Sequence, residues 1–362
     1  LKGLQMKTAQ DYVMTVPQIT ERITDLADFQ QSCVDMVVPS HSITAQVGQI
    51  GAAQEPLINV NLGVGDESRF LVHIQDHAHN QIFQTGTDIG LHYGRKLLTA
   101  PELWATNVNH WLKQKEDNAS YLLRTRKDFL RSFLSSRYKI VNNYDVALTT
   151  LRKATTVGAF PHRFDVSDTH MRLTYLMPNR TVDLNNNGDT HTFGFRVSNS
   201  EVGMGAVDVK PFLFRWACTN GLIMGTTEIK QGAMHKVHRG SDLPLGQLSS
   251  RTILKQSEVI LSEAEDAIDG CLSDKMFNTW KTQLENANEQ ALGDEPVKIL
   301  QRTKFFTEAE STNILYELAQ AQQTVFGMVQ SMTATARNMN SDRRHEVETF
   351  AGKYLNELVP VR

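Results

Sequence analysis

At about residue 247 the sequence changes character. Upstream, short segments alternate apolar and polar residues with period two. Downstream, strand signals vanish and long helical periodicities take over. A chain built this way predicts an α+β fold: a mostly antiparallel sheet with packed helices in the body, followed by a helical C-terminal module. At 362 residues, with 40% hydrophobic side chains and 22 glycines, it has enough apolar surface to offset chain entropy. The expected divisions are an N-terminal helical segment and linker over 1–55, the α+β body over 56–246 and the helical module over 247–362.

In the N-terminal segment, Val16-Pro17 opens a helix to about residue 33, with Ile19, Ile23, Leu26 and Phe29 at helical spacing. Gly48 to Glu55 reads as a linker. Leu57–Leu62, Arg69–Gln75 and Gln81–Gln84 read as strands, the last two flanking a five-residue loop, Asp76-His-Ala-His-Asn80. Pro101 starts a helix to about Gln114, strands recur at 121–125 and 130–134, and a short helix follows Asn142-Asn143. Strands at 171–177 and 191–197 flank the polar tract Asp183–Asp189, and Pro211 divides a further pair. In the C-terminal module one helix spans about 249–272. Thr307-Glu-Ala-Glu310 is a capping box, opening a stripe of Ile314, Leu315, Leu318, Ala321, Val325 and Met328. A last helix covers roughly 342–355.

The net charge of −3 hides an uneven distribution. Residues 1–90 carry 4 basic and 10 acidic side chains, and residues 252–362 carry 11 and 17. Residues 91–139 reverse this, with 10 basic and 4 acidic. Such asymmetry bears on partners rather than on fold. The densest stretch, 122–139, interleaves Arg124, Arg126, Lys127, Arg131, Arg137 and Lys139 with Phe129, Phe133 and Tyr138. Cations on phosphates with aromatic rings on bases are how single strands are held without sequence preference. The alternative is that the aromatics are core and the cations a solvated face. An alternating strand also divides its cations between two faces.

Other constellations carry less chemistry. His73, His77 and His79 share one side of an extended chain, but the turn expected at 76–80 breaks that face, so no metal is assigned. Gly203-Met-Gly-Ala206 lacks the third glycine of a dinucleotide loop, since Asp208 stands there, and a strand rather than a helix follows. There is no GxxxxGK[ST], GxSxG or HExxH motif, so no cofactor and no catalytic residue is assigned. Asp165, Asp168, Asp183 and Asp189 have no spacing that fixes a two-metal site. The three cysteines, Cys33, Cys218 and Cys271, form no CxxC pair, which excludes a zinc ribbon and fits a reducing compartment. Cys218 has only Arg215 nearby to activate it, so it reads as a buried small hydrophobe. No apolar run approaches the ~20 residues that span a bilayer, and the start lacks a signal-peptide core, so a cytoplasmic protein without membrane contact is expected.

Several stretches occur in a recognisable order: His92–Leu98, Pro101–Leu112, Leu122-Leu-Arg124, Phe133–Lys139 with Asn142–Val146, Val197–Gly203, Pro211–Gly221 and His238-Arg239. Over roughly residues 85–270 the chain resembles the phage/plasmid-like family called domain of unknown function 932. The resemblance implies a home on phages and plasmids in a bacterial host, whose accessory proteins often handle DNA. It brings no established catalytic mechanism. The expected activity is nucleic-acid binding, single-stranded DNA favoured, with strand annealing or recombination as its purpose. Arg124, Arg126, Lys127, Arg131, Arg137 and Lys139 would line a groove, with Arg95, Lys96, Arg215 and Arg239 as secondary contacts and Phe133 or Tyr138 stacking on a base. A homo-oligomer is expected. The alternatives are a non-catalytic oligomeric interaction protein and, behind it, a metal-dependent nuclease or other hydrolase.

Overall fold

The structure is a computed structural model that describes residues 12–50, 53–63, 69–87, 89–184, 190–216, 219–224, 234–236 and 243–360. It is an α+β fold built on two mostly antiparallel sheets, with a helical C-terminal region. Helix α1 (Val16–Gln31) starts at a capping box made by Thr15 and Gln18, with a proline in its first turn. Next come β1 (Cys33–Pro39), β2 (Ile43–Ile50), β3 (Ala53–Asn61), β4 (Arg69–Ile74), α2 (Asp76–Gln81), α3 (Leu91–Leu97), α4 (Pro101–Lys113), β5 (Ser120–Arg126) and β6 (Phe129–Ser135). The strands form the first sheet in the order β1-β5-β6-β4-β3-β2, parallel only between β4 and β6. Val38, Ile58, Val60, Val72, Leu123 and Phe133 bury one face of this sheet with Trp104 and Val108 of α4. Asn109 of α4 accepts from the Ala45 N–H (2.7 Å) and donates to the Ala45 carbonyl (2.8 Å), blocking part of the β2 edge.

The second sheet follows α5 (Asn143–Val157) and contains β7 (Phe160–Val166), β8 (Met171–Asp183), β9 (Thr190–Asn199), β10 (Val207–Arg215), β11 (Asn220–Ile223) and β12 (Met234–Lys236). Its order is β11-β10-β9-β8-β7, with β12 also on β10. Tyr175, Phe195, Val197 and Val209 pack on Val146 and Ala154 of α5 and on Ile260, Ala264 and Ile268 of α6 (Ser250–Cys271). The chain ends in α7 (Asp274–Glu289), α8 (Pro296–Thr303), α9 (Glu308–Ala319), α10 (Val325–Ala336) and α11 (Ser341–Leu358). These helices do not form a separate core. Trp280, Leu284, Val329, Val347 and Leu355 share one apolar cluster with Phe193, Leu213 and Leu222 of the second sheet, and the buried carboxylate of Glu348 pairs with the buried guanidinium of Arg196.

Four expectations from the sequence are corrected. Residues 48–55 are no linker, because β2 and β3 pair as a hairpin from Ile43↔Val60 to Ile50↔Ala53. Residues 33–50 therefore belong to the first sheet rather than to an N-terminal segment. The strand expected at 81–84 is absent: 76–81 is helical and a π-helical turn covers 82–86, burying Ile82 and Phe83 against α4. Pro211 does not divide β10. Its carbonyl accepts from Met224 N, so its nitrogen faces the same edge, in the gap between the pairing of β12, which ends at Val209, and that of β11, which begins at Phe212. A missing N–H costs little there. Finally, the stripe from Ile314 to Met328 is two helices, and Thr324 caps the second by accepting from Gly327 N.

Candidate functional site

The basic segment forms the β5–β6 hairpin. Its two-residue turn puts Lys127 in the left-handed region (φ 53°) and pairs Arg126 with Phe129. Alternation along β5 places Arg124 and Arg126 on the same face of the sheet, and Arg131 of β6 reaches that face too. The face is not left open. The Phe29 ring of α1 lies under both Arg126 and Arg131, with Cζ atoms 4.3 and 4.5 Å from its centroid. Arg126 Nε also donates to Ser32 Oγ (2.9 Å).

Behind α1 the guanidinium groups enter a buried network. Arg124 donates to Asp35 (2.8 Å), to the carbonyl of Glu201 (2.8 Å) and to Asn142 (2.7 Å). Arg131 pairs with Glu201 at 2.9 Å and reaches Cys33 Sγ at 3.4 Å. The other Glu201 oxygen accepts from the N–H of Asn143, the first residue of α5, at 2.7 Å. Glu201 thus ties the first sheet to α5, which packs on the second. Burial pushes the Cys33 thiol up, with Arg131 opposing, which disfavours the reactive thiolate.

In front of this network lies a cleft of about 490 Å³. Its cations are Arg22, Arg126, Lys127 and Arg131 and its acids Asp25 and Asp168. Phe29, Phe129 and Phe164 supply the rings, and Gln75 and Asn143 are among its polar groups. Arg22 lies 3.8 Å from Asp25. Lys127 is exposed and has no ion pair among the described residues, and Phe129 at the hairpin tip is 43% exposed. The mouth therefore offers an uncompensated cation beside an accessible ring.

The candidates from the sequence fall into separate groups. Arg126 and Lys127 stand at the cleft, and Arg131 forms part of its lining while held by Glu201. Arg124 is 2% exposed and fully engaged inside, so it is no groove residue. Phe133 is fully buried against Tyr121, with ring centroids 4.6 Å apart. Tyr138 is buried and donates to the Ser200 carbonyl at 3.0 Å, and burial pushes its phenol up. Neither ring is placed to stack on a base, and for these two the core alternative holds. Arg137 is exposed and Lys139 half-buried beyond the end of β6. Arg95 and Lys96 are exposed on α3, where Arg95 Nε donates to Asn80 (3.3 Å), and Arg215 is half-buried at the end of β10. Arg239 and Cys218 lie outside the described residues.

The cleft also uses residues that the basic segment does not contain: Arg22 and Phe29 from α1, Gln75 and Asn143. Phe29 belonged to a visible stripe, and Arg22 lies seven residues earlier on the same face, which is the one signal that pointed there. The three histidines do not converge. His73 pairs with Glu55, while His77 and His79 are buried two residues apart on α2. Burial holds His79 down to about 4 and lowers His77 as well. No group of three or more metal-ligating side chains exists among the described residues, and no helix among them is long and apolar enough to cross a membrane. No family model, no curated protein and no solved structure matches this chain.

Proposed function

We propose that the protein binds single-stranded nucleic acid, DNA of a mobile element in the first instance, through the cleft at the β5–β6 hairpin, as a step in strand annealing or recombination. The observation that carries this reading is Lys127, without an ion pair among the described residues, beside the exposed Phe129 at a mouth that also holds Arg126. A cation for the phosphates and a ring for a base are the two components of sequence-tolerant single-strand binding.

The test is fluorescence anisotropy of labelled single-stranded and duplex oligonucleotides across a salt series. Single strands are expected to bind more tightly, with affinity falling steeply as salt rises. The double variant Arg126→Glu/Lys127→Glu should flatten the log–log slope by about 1.4, two phosphate contacts at roughly 0.7 each. Phe129→Ala should weaken binding by about 1–3 kcal/mol without changing the slope. Folded protein with no affinity for either nucleic acid at low salt overturns the reading.

One observation favours a second reading, a non-catalytic protein that assembles with copies of itself. Tyr93 of α3 and Leu103 and Trp111 of α4 are 42–50% exposed, and half-exposed tryptophan is typical of protein contacts. A large, salt-resistant oligomer without nucleic-acid affinity would select this reading.

A further inference from the structure

A groove of about 730 Å³ runs along α7, and none of its lining residues belongs to the basic segment. One wall is Asn278, Thr279, Thr282, Gln283, Asn286 and Gln290, and the other is Leu358, Val359 and Pro360. In a chain with 21% charged residues this lining contains none. Asn278, Thr282 and Asn286 stand at four-residue intervals on the helix, and Gln290 follows just past its end. They are exposed, and their side chains have no hydrogen-bond partner among the described residues.

The groove is built rather than incidental. Gln283 is 2% exposed and donates through Nε2 to Asn356 Oδ1 (2.6 Å) and to the Val359 carbonyl (2.7 Å), which fixes the second wall against α7. Its Oε1 is buried without a partner among the described residues. Fixed walls lower the ordering cost of binding.

The spacing selects the occupant. Four residues of helix rise about 6.0 Å, and two residues of extended chain span about 6.6–6.8 Å. A row of side chains at this interval therefore meets every second residue of an extended peptide. Each carboxamide presents a donor and an acceptor together, matching one backbone carbonyl and one N–H. The apolar wall suits intervening aliphatic side chains, and an uncharged lining gives acidic or basic ones nothing to pair with. A glycan fits less well, because no aromatic ring lines the groove to cover a sugar face. We infer that this groove binds an extended, uncharged peptide segment of about five residues through its backbone.

The experiment is selection of seven-residue peptides from a displayed library on the full chain, followed by affinity measurement of synthetic copies. Enriched peptides should be uncharged in their central residues. Asn278→Ala and Asn286→Ala should each weaken binding by about tenfold or more, since each removes a donor and an acceptor. N-methylation of alternate backbone positions should abolish binding, and methylation of the intervening ones should leave it intact. Failure to enrich any peptide, equal binding to the Asn278→Ala/Asn286→Ala double variant, or displacement of the peptide by an uncharged oligosaccharide overturns the proposal. Nucleic-acid affinity is untouched by any of these outcomes.

Discussion

Glu201→Ala tests the seam behind the cleft. The carboxylate is 4% exposed and its Arg131 partner 6%. Alanine removes the ion pair and the acceptor for the Asn143 N–H, while the backbone carbonyl that receives Arg124 remains. Among the described residues, the Arg131 side chain then keeps Cys33 Sγ and the face of Phe29. Breaking a buried pair from one side costs about 3–5 kcal/mol, because the surviving charge stays desolvated. An unfolding entropy of about 2.1 cal/mol/K per residue over this length gives about 760 cal/mol/K, so a loss of about 4 kcal/mol lowers Tm by roughly 5 °C. Glu201→Gln should recover little: if its carbonyl accepts from Asn143, its amino group is turned towards the guanidinium, donor against donor. Replacing both partners, as in Glu201→Leu/Arg131→Met, should recover most of the loss. Urea unfolding followed by tryptophan fluorescence, with thermal scans, reads all three. A Glu201→Ala variant within about 1 kcal/mol of the parent would refute the assignment of Glu201 as the bracket between the sheets.

Acid should destabilise the fold early. His79 is neutral when folded, with its ordinary 6.5 pulled down to about 4 by burial, whereas the unfolded chain takes up that proton. Stability is therefore full above about pH 6.5 and lost as pH falls towards 4, by about 2 kcal/mol at pH 5 from this residue alone. His162, also held near 4 by burial, adds to the same slope. The urea midpoint should fall between pH 7 and 5, and His79→Leu should flatten that fall; a midpoint independent of pH contradicts it. In the middle of the second sheet, a Cβ on Gly194 would land on the Tyr175 carbonyl oxygen, which is backbone and cannot turn aside. Gly194→Ala should cost about 3 kcal/mol in the same denaturation assay, and a neutral effect would mean that β8 and β9 approach less closely than described.

Local chemistry was legible wherever it decides structure by itself. The box of Thr307 and Glu310 caps α9 as its sequence indicates, with Glu310 held below the usual carboxylate range by its bonds to Arg343. Proline stands in the first turns of α1 and α4, where the sequence predicted it to open a helix. What failed depended on tertiary context. Asp76-His-Ala-His-Asn80 has loop composition, yet it is helical because α2 buries His77, Ala78 and His79. Pro211 reads as a break until the strand on its open edge is known. The apolar stripe after Thr307 runs through a chain reversal because two consecutive helices use it for the same cluster.

The candidate site divides along the chemistry of its cations. The sequence shows six basic residues in 122–139 but not their partners, which lie far along the chain: Glu201 is 70 residues from Arg131, and Asp35 is 89 from Arg124. A guanidinium is weakly hydrated and presents several donors in a fixed plane, so it can be buried if each nitrogen finds an acceptor. Arg124 meets that condition with three separate partners. An ammonium is strongly hydrated and resists burial, and Lys127 stays in water at the hairpin turn. Within one basic segment, then, Arg124 and Arg131 became brackets behind the cleft, while Arg126 and the turn lysine stand at its mouth. Alternating arginines inside a strand, with unpaired acids elsewhere in the chain, are thus as much a sign of a buried seam as of a nucleic-acid groove. The two are told apart by which cations occupy turns.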